Sequence, residues 1–182
     1  MLISQQKIEI RVLRKRDKHI LARWLTDPTI LKYYDGRDNP SSLERVRTRF
    51  YKKEDRVTRC IVEYEHVPIG YMQFYPINDE ERVRYGYANS INVYGMDQFI
   101  GENSYWNKGI GTTLVKMMVA YLTDEVKADK VVMDPQIQNK RALACYAKCG
   151  FQEVKHLPLH ELHEGERRDC LLMEYVKEDE KK

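Results

Sequence analysis

The chain has 182 residues, 42% of them hydrophobic, which is sufficient for one domain with its own core. Its 31 basic and 28 acidic residues leave a net charge of +3, and because the basic residues are scattered, nucleic-acid binding is not indicated. The apolar part of the N-terminus is too short for a signal peptide, and no later apolar run approaches the length of a membrane span. We therefore expect one cytoplasmic domain over residues 1–177, followed by a solvated charged tail over residues 178–182.

The first part of the chain predicts one strand and two helices. Polar and apolar residues alternate over Lys7–Leu13, which is the period of a half-buried strand. A first helix is predicted through Ile20–Leu25, with Asp17 as its N-cap and Pro28 beyond its end. Residues 43–50 predict a second, short helix.

The start of that second helix carries a capping signal. Ser41 or Ser42 is the expected N-cap, and Glu44 stands three residues after Ser41, where a capping box requires an acidic residue. After the helix, Val57–Tyr64 and Ile69–Ile77 are rich in β-forming residues and flank a turn-like His-Val-Pro sequence. They predict an antiparallel hairpin.

The second half of the chain alternates strands with helices. A strand through Ile91–Ile100 is followed by a pattern of period 3.6 from Gly109 onward, and then by a short buried strand, Val131–Met133. A helix over Asn139–Cys149 precedes two closing strands, near residues 151–157 and 169–176. This order of elements predicts an α/β layer with a mixed sheet, although the order alone assigns no function.

Cysteine and histidine spacing favours neither disulfides nor metal sites. The four cysteines lack CxxC spacing and the density of a secreted scaffold, so we expect free thiols, mostly in the core. His156, His160 and His163 lie close together, but a closed metal site needs four well-placed ligands and no second cluster has ligand spacing. We interpret the histidine tract as a polar hairpin and predict no metal.

The most informative segment is the strand over Val93–Gly101 and the glycine-rich turn that follows it. Gly109 and Gly111 would let backbone N–H groups approach an anion closely, and the unpaired amides of a first helical turn favour negative charge. A pyrophosphate fits such a turn. The alternative is a tight connection between a strand and a helix, with no ligand.

A second segment carries a longer pattern. Asn139, Ala142, Tyr146, Gly150 and Phe151 match every named position of the motif Asn-x-x-Ala-x-x-x-Tyr-x-x-x-Gly-Phe. Together and in this order, the two segments resemble the coenzyme A site of the GCN5-related N-acetyltransferase (GNAT) superfamily. The first motif of that superfamily begins with Arg or Gln, and this chain has a tryptophan, residue 106, at that position.

This resemblance implies a fold and a cosubstrate. The fold is a mixed, mostly antiparallel central sheet flanked by helices and splayed between strands 4 and 5, where the pantetheine arm pairs with exposed backbone. The cosubstrate is acetyl-CoA. The residues that the resemblance assigns to its binding are Phe99, Ile100, Lys108, Gly109, Ile110, Gly111, Thr112, Asn139 and Tyr146.

A narrower resemblance covers nearly the whole chain. The segments Trp24–Asp27, Pro68–Tyr71, Tyr94–Glu102 and Leu162–Gly165 look like those of aminoglycoside 6'-N-acetyltransferases. This implies acetyl transfer to the 6'-amino group of an aminoglycoside, a small polycation, and hence antibiotic resistance. The substrate contacts that we expect are Tyr34, Gln73, Tyr75, Asp97, Asp134 and Glu164.

Acetyl transfer needs a neutral amine, and deprotonating an alkyl amine at pH 7 costs about 4–5 kcal/mol. Asp97 is a carboxylate in an apolar strand and needs a partner, which is either a neighbouring cation or, as the resemblance implies, the substrate amine that it deprotonates. The resemblance assigns Tyr146 to protonation of the departing thiolate, with a role in packing as the alternative. Asp134 lies at a carboxyl end of the sheet, where it is either a ligand or the cap of a turn.

Two other functions remain open from the sequence. One is a GNAT acetyltransferase for a different amine, such as a polyamine, a metabolite or a protein N-terminus. The other is a module that binds coenzyme A without catalysis, against which the presence of both Asp97 and Tyr146 argues.

Overall fold

The computed structural model describes residues 2–52 and 56–176, so the predicted tail over 178–182 lies outside the described residues. Within those two ranges, eight strands form one sheet and six α-helices flank it. The strands are β1 (Ile3–Gln5), β2 (Ile8–Val12), β3 (Thr58–Tyr64), β4 (Val67–Pro76), β5 (Val93–Ile100), β6 (Lys130–Met133), β7 (Phe151–His163) and β8 (Glu166–Tyr175). The helices are α1 (Lys18–Trp24), α2 (Pro28–Leu31), α3 (Leu43–Phe50), α4 (Asp79–Tyr85), α5 (Ile110–Asp124) and α6 (Lys140–Lys148).

The strands are hydrogen-bonded in the order β1-β2-β3-β4-β5-β6-β8-β7. β5 and β6 pair in parallel, whereas β1 with β2, β2 with β3 and β6 with β8 pair antiparallel. The predicted fold class, a mixed and mostly antiparallel sheet flanked by helices, is therefore confirmed. Among the described helices, none is long and apolar enough to cross a membrane.

The hairpin of β3 and β4 is tighter than the sequence predicts. Glu65 and His66 both have left-handed backbone angles, φ 48° and 66°, which make a two-residue turn whose twist matches that of the strands. Val67 and Pro68 consequently belong to β4 and not to the turn. The periodicity also missed three short elements, β1, α2 and α4, each of which has fewer than eight residues.

Asp17 precedes α1 as predicted, but its side chain does not cap that helix. Its two carboxylate oxygens accept hydrogen bonds from Arg11 Nη1 and Nη2 at 2.7 and 2.9 Å. Arg11 Nε also donates to Glu63 at 2.8 Å. All three residues are buried, so strand β2, strand β3 and the start of α1 are held by one ionic network.

The capping prediction for α3 needs a similar correction. Ser42, and not Ser41, is the N-cap, since its hydroxyl accepts from the N–H of Arg45 at 3.2 Å. Glu44 is therefore one position too early for the predicted capping box. A capping box does occur at α4, where Asn78 and Glu81 bond each other's backbone N–H groups at 2.8 Å.

The contacts of the chain divide it into two compact units, and the prediction of a single domain stays a prediction. Of the described residues, unit 1 comprises 2–52, 56–73, 98–108 and 163–166, and unit 2 comprises 74–97, 109–162 and 167–176. Unit 1 has an aromatic core that includes Trp24, Phe50, Tyr71 and Phe99. One core cluster of unit 2 includes Ile77, Val93, Val132, Leu157 and Leu172.

The parallel register of β5 and β6 decides where two carboxylates lie in unit 2. Tyr94 pairs with Val131 and Gly95 with Val132, and within the described residues the ladder extends no further. Asp97 lies two residues beyond Gly95, and Asp134 lies two residues beyond Val132. Since side chains alternate along a strand, the register aims both carboxylates toward the same face, just past the paired part of the two strands.

We predict that Arg11→Met lowers the free energy of unfolding by about 3–5 kcal/mol, because two carboxylates would remain buried without their cation. Burial raises the pKa of Asp17, but the hydrogen bonds from Arg11 and the Arg14 N–H lower it below 3.8 overall. The stabilisation from Asp17 is thus present above its unfolded pKa and is lost as pH falls through the folded value. Urea unfolding measured at several pH values from 7 to 3 gives the free energy of unfolding of wild type and variant. The difference between the two free energies should become smaller as the pH falls.

Lys15→Met is the matched control for this prediction, because Lys15 is an exposed cation close to Arg11 in the sequence. It should change stability by less than about 0.5 kcal/mol. Equal effects of the two substitutions would contradict a specific role for the Arg11 network.

Candidate active site

A narrow crevice in unit 2 lies at the end of the β5–β6 ladder. It combines tyrosine hydroxyls with carboxylates over an apolar floor, and its lining includes Tyr75, Glu81, Tyr85, Gly95, Val132 and Asp134. Four different elements supply these residues: β4, α4, β5 and β6 with the residue that follows it. We refer to it below as the crevice.

Gly95 is required because the ring of Tyr75 lies against β5. A Cβ atom at Gly95 would be 2.7 Å from Tyr75 Cε2 and 3.2 Å from its hydroxyl oxygen, so any larger residue would displace the ring. Burial, and then the negative charges of Asp97 and Asp134, raise the pKa of Tyr75 well above its ordinary value of 10.0. Tyr75 is therefore a neutral hydroxyl at physiological pH, in the field of two carboxylates.

Asp134 is held by two hydrogen-bond donors. The hydroxyl of Tyr85 donates to Asp134 Oδ2 at 2.9 Å, and His160 Nε2 lies 2.7 Å from the same oxygen. Arg84 Nη1 lies 3.1 Å from His160 Nδ1. Because a guanidinium can only donate, Nδ1 of His160 is an acceptor, and the proton of the neutral ring is assigned to Nε2, facing Asp134.

These donors keep Asp134 ionised. Burial raises the pKa of Asp134, but the hydrogen bonds from His160 and Tyr85 outweigh it and hold the pKa below its ordinary value of 3.8. Burial and the charge of Asp134 raise the pKa of Tyr85, which therefore stays a donor. At Glu81, burial raises the pKa and the hydrogen bond from the Asn78 N–H opposes it in part. The crevice thus presents neutral tyrosines beside the anionic carboxylate of Asp134.

The predicted coenzyme turn forms the start of α5. Gly109 is the N-cap, with φ 77°, and no side chain caps this helix. The first helical hydrogen bond runs from Thr113 N to Gly109 O at 3.1 Å, so the amides of residues 110–112 have no partner within the helix. A Cβ at Gly111 would meet no described atom within 4 Å apart from its chain neighbours and the backbone of its own helix, so the packing of the fold does not require glycine there. The turn offers backbone donors and open space to an anion.

In α6, two residues of the longer motif have clear structural contacts. Asn139 is the N-cap, and its Oδ1 accepts a hydrogen bond from Ala142 N at 3.1 Å. The half-buried Tyr146 ring lies 6.1 Å from that of Phe151, measured between centroids. Asn139 therefore positions the helix, and the roles that the resemblance assigns to Asn139 and Tyr146 stay predictions.

Several other predicted site residues belong to unit 1. Phe99 packs against Tyr34 at 4.7 Å and stacks on Tyr71 at 5.6 Å, both measured between ring centroids. The hydroxyl of Tyr71 donates to Gln73 Oε1 at 2.7 Å. Tyr34, Gln73 and Phe99 are thus connected through one aromatic cluster.

The departure from the first motif has a structural role. Nε1 of Trp106 donates to the carbonyl of Ile100 at 2.8 Å, and therefore binds the last residue of β5. The ammonium of Lys108 lies 5.6 Å from the centroid of the Tyr105 ring. The Ile100 carbonyl keeps a second lone pair for another donor.

Glu164 is engaged by an arginine within unit 1. Its carboxylate accepts from the Nη2 of Arg37 at 2.7 Å and from the Arg37 backbone N–H at 3.1 Å. These hydrogen bonds lower the pKa of Glu164 to about 2. Asp35 is paired in the same way with Arg49. The charge of Glu164, ranked among the substrate ligands from the sequence, is therefore largely offset by the protein.

Sequence reasoning missed His160 and Tyr85 as partners of Asp134. The histidine tract is not a uniformly polar hairpin, because His163 is buried and only 11% of the His160 side chain is exposed. The capping box formed by Asn78 and Glu81 is a sequence pattern from which the start of α4 could have been predicted, and α4 carries Tyr85. Within the described residues, no group of three or more His, Cys, Asp or Glu side chains has the arrangement of a metal site.

Comparison with a family model and with known proteins points to the same family of acetyltransferases. The model of the acetyltransferase (GNAT) domain family matches residues 14–159. The aminoglycoside N(6')-acetyltransferase type 1 of Klebsiella pneumoniae is 28% identical over 152 residues, which are 82% of this chain and 76% of that protein.

Solved structures show the same fold. The aminoglycoside acetyltransferase AAC(6')-Ib, in complex with coenzyme A and kanamycin, has a TM-score of 0.72 at 25% identity, over 93% of this chain and 95% of that chain. The spermidine N-acetyltransferase of Vibrio cholerae, in complex with coenzyme A and spermine, has a TM-score of 0.76 at 19% identity, over 96% of this chain and 97% of that chain. The second likeness concerns the fold alone.

The hydrogen bond between His160 and Asp134 can be tested directly. We predict that His160→Phe raises the pKa of Asp134, because it removes the strongest of the hydrogen bonds that lower this pKa. Carbon-13 NMR of the aspartate carboxyl groups should show Asp134 titrating at higher pH in the variant. His156→Phe is the control, since His156 lies on the same strand and pairs with Asp169 instead. An unchanged titration of Asp134 in His160→Phe would contradict the assigned hydrogen bond.

Proposed function

Because the chain belongs to the GNAT acetyltransferase family, we propose that it transfers the acetyl group of acetyl-CoA to the 6'-amino group of aminoglycosides and so confers resistance. The observation that carries this proposal is the crevice with its carboxylates. The relative from Klebsiella pneumoniae, matched over 82% of this chain, supports the choice of substrate.

The charge of the crevice suits an aminoglycoside, which carries several ammonium groups on a polar scaffold. Asp97 and Asp134 each follow the last pair of the β5–β6 ladder by two residues, and Glu81 joins Asp134 in the lining of the crevice. Tyr75 and Tyr85 supply hydroxyls that can bond the sugar oxygens. The net charge of +3 does not oppose this, because screened fields act over about 8–10 Å.

In the proposed reaction the 6'-amine attacks the thioester carbonyl directly. Asp97 binds the ammonium and takes its proton, which leaves the nitrogen lone pair free to form the new amide bond. Asp134, held as an anion by its two donors, binds ammonium charge without having to accept the proton. As the carbon–sulfur bond breaks, Tyr146 gives its phenolic proton to the thiolate that leaves, and the second proton that the nitrogen releases on becoming an amide returns Tyr146 to its neutral form.

The start of α5 would hold the coenzyme pyrophosphate through the backbone amides of residues 110–112, with Lys108 and Thr112 beside them. Phe99 and Ile100 on β5 would bond the pantetheine arm through their backbone. The open space at Gly111 fits this assignment. A side chain there would not clash with the neighbouring protein, but it would occupy the space proposed for the anion.

We predict that Gly111→Gln weakens acetyl-CoA binding at least tenfold, which corresponds to about 1.4 kcal/mol, because the new side chain covers the amides of the turn. The free energy of unfolding should stay the same or rise by roughly 0.5–1 kcal/mol, since glycine is a poor helix former. Calorimetric titration and urea unfolding measure the two quantities separately. Ala120→Gln places the same side chain at an exposed position of α5 and should change neither.

Acetylation assays with kanamycin, tobramycin and spermidine test the substrate. We predict mono-acetylated kanamycin and tobramycin, with the acetyl group on the 6'-nitrogen, and an about 10²–10⁴-fold lower turnover for Asp97→Asn, because asparagine keeps the size but loses the basicity. Mass spectrometry gives the product and NMR its position. Asp124→Asn, on the exposed end of α5, is the matched control and should retain wild-type turnover.

Two outcomes would overturn the proposal in different ways. Efficient acetylation of spermidine with none of kanamycin or tobramycin would assign the crevice to a different polycationic amine. Near-normal turnover of Asp97→Asn, with a lower melting temperature, would reduce Asp97 to a structural role and transfer the base to a water relay or to Asp134.

A further inference from the structure

Two cysteines and one threonine form a polar cluster, and the proposed reaction uses neither of the two thiols. Cys145 and Cys149 lie four residues apart, and therefore on the same face of α6. Cys145 Sγ lies 3.6 Å from Thr112 Oγ1, and Cys149 Sγ donates to the carbonyl of Thr112 at 3.5 Å. Thr112 belongs to the first turn of α5, so the cluster adjoins the backbone donors of residues 110–112.

The four cysteines differ in accessibility. Cys60 and Cys170 are 0% exposed and Cys149 is 5% exposed, whereas Cys145 is only partly buried. All four are free thiols. Cys145 is therefore the cysteine that a small reagent in solution should reach most readily in the folded chain.

The surroundings of Cys145 favour a negatively charged sulfur. Donation from Cys149 lowers the pKa of Cys145 to about 6 against the effect of burial, and Thr112, Arg141 and Lys148 lower it further. The single S–H proton of Cys149 serves one acceptor at a time, and a charged sulfur is a stronger acceptor than the Thr112 carbonyl. The hydrogen bond with Cys145 and burial raise the pKa of Cys149, and the charge of Lys116 on α5 opposes them in part. Cys149 therefore remains a thiol that can donate.

We propose that Cys145 is a reactive thiolate and a site of reversible modification by low-molecular-weight disulfides, with Cys149 and Thr112 as the groups that stabilise its charge. In the reaction the Cys145 sulfur attacks one sulfur of the disulfide, and the disulfide bond breaks. A new sulfur–sulfur bond joins Cys145 to one half, and the other half leaves as a thiolate. The attached group lies beside the first turn of α5, and if that turn binds coenzyme as proposed, modification blocks coenzyme binding.

Alkylation of the folded protein with iodoacetamide between pH 5 and pH 9, followed by peptide mass spectrometry, tests the thiolate. Cys145 should be labelled first, with a rate that reaches half of its maximum near pH 6, compared with 9.0 for an ordinary thiol. The midpoint is the decisive quantity and not the rate, since the intrinsic nucleophilicity of a thiolate falls as its pKa falls. A midpoint near 9.0, or native protein in which Cys145 is labelled no sooner than the buried cysteines, would overturn the proposal.

Two variants separate the cluster from simple exposure. Cys149→Ala should move the midpoint of Cys145 upward by at least about one pH unit, because the donor is lost. If that variant does not fold, Arg141→Gln should give a smaller upward shift, with Lys140→Gln on the same helix as its control. An unchanged midpoint in the folded variants would contradict the stabilising roles.

Incubation with oxidised glutathione tests the modification itself. One glutathionyl group should appear on Cys145, be removed by dithiothreitol and be absent from Cys145→Ser. The failure of this adduct to form would overturn the modification site. Acetyl-CoA should slow the modification at least severalfold, and a lack of protection in a protein that does form the adduct would count only against the coenzyme location. The two proposals can therefore fail separately.

Discussion

The parallel ladder between β5 and β6 is the constraint on which the crevice depends. Its register pairs Gly95 with Val132, so Asp97 and Asp134 both follow the last pair by two residues. Two strands that are far apart in the sequence thereby bring two carboxylates to one face of the sheet. Ligands of open α/β sheets bind beyond the carboxyl ends of parallel strands, and this pair of strands provides such an edge.

Neighbouring elements then determine the charge of the crevice. Tyr75 reaches its position only because Gly95 has no side chain, and Tyr85 is carried by the capped helix α4. Two hydrogen-bond donors to Asp134, one from α4 and one from β7, keep its carboxylate ionised at neutral pH. The charge state of this carboxylate is therefore a property of the assembled elements, and it would change if either donor were removed.

Elsewhere in the chain, acidic residues are neutralised by arginine. Asp17, Asp35 and Glu164 each accept hydrogen bonds from a guanidinium. Asp134 is held instead by hydrogen bonds from a tyrosine and a histidine, with no guanidinium bound to it among the described contacts. A carboxylate held in this way can attract an ammonium group. A carboxylate that is already paired with arginine attracts a second cation more weakly, because the guanidinium offsets its charge.

The sequence by itself determined the helices and strands with strong periodicity, the glycine-rich start of α5 and the family motif, because these depend on residues close together in the chain. Only the tertiary structure decided which carboxylates share the crevice. Glu164, expected among the substrate contacts, accepts hydrogen bonds from Arg37, and His160, interpreted as part of a polar hairpin, is hydrogen-bonded to Asp134. Such partners lie far apart in the sequence, and their pairing follows from strand register and packing, which no local pattern specifies.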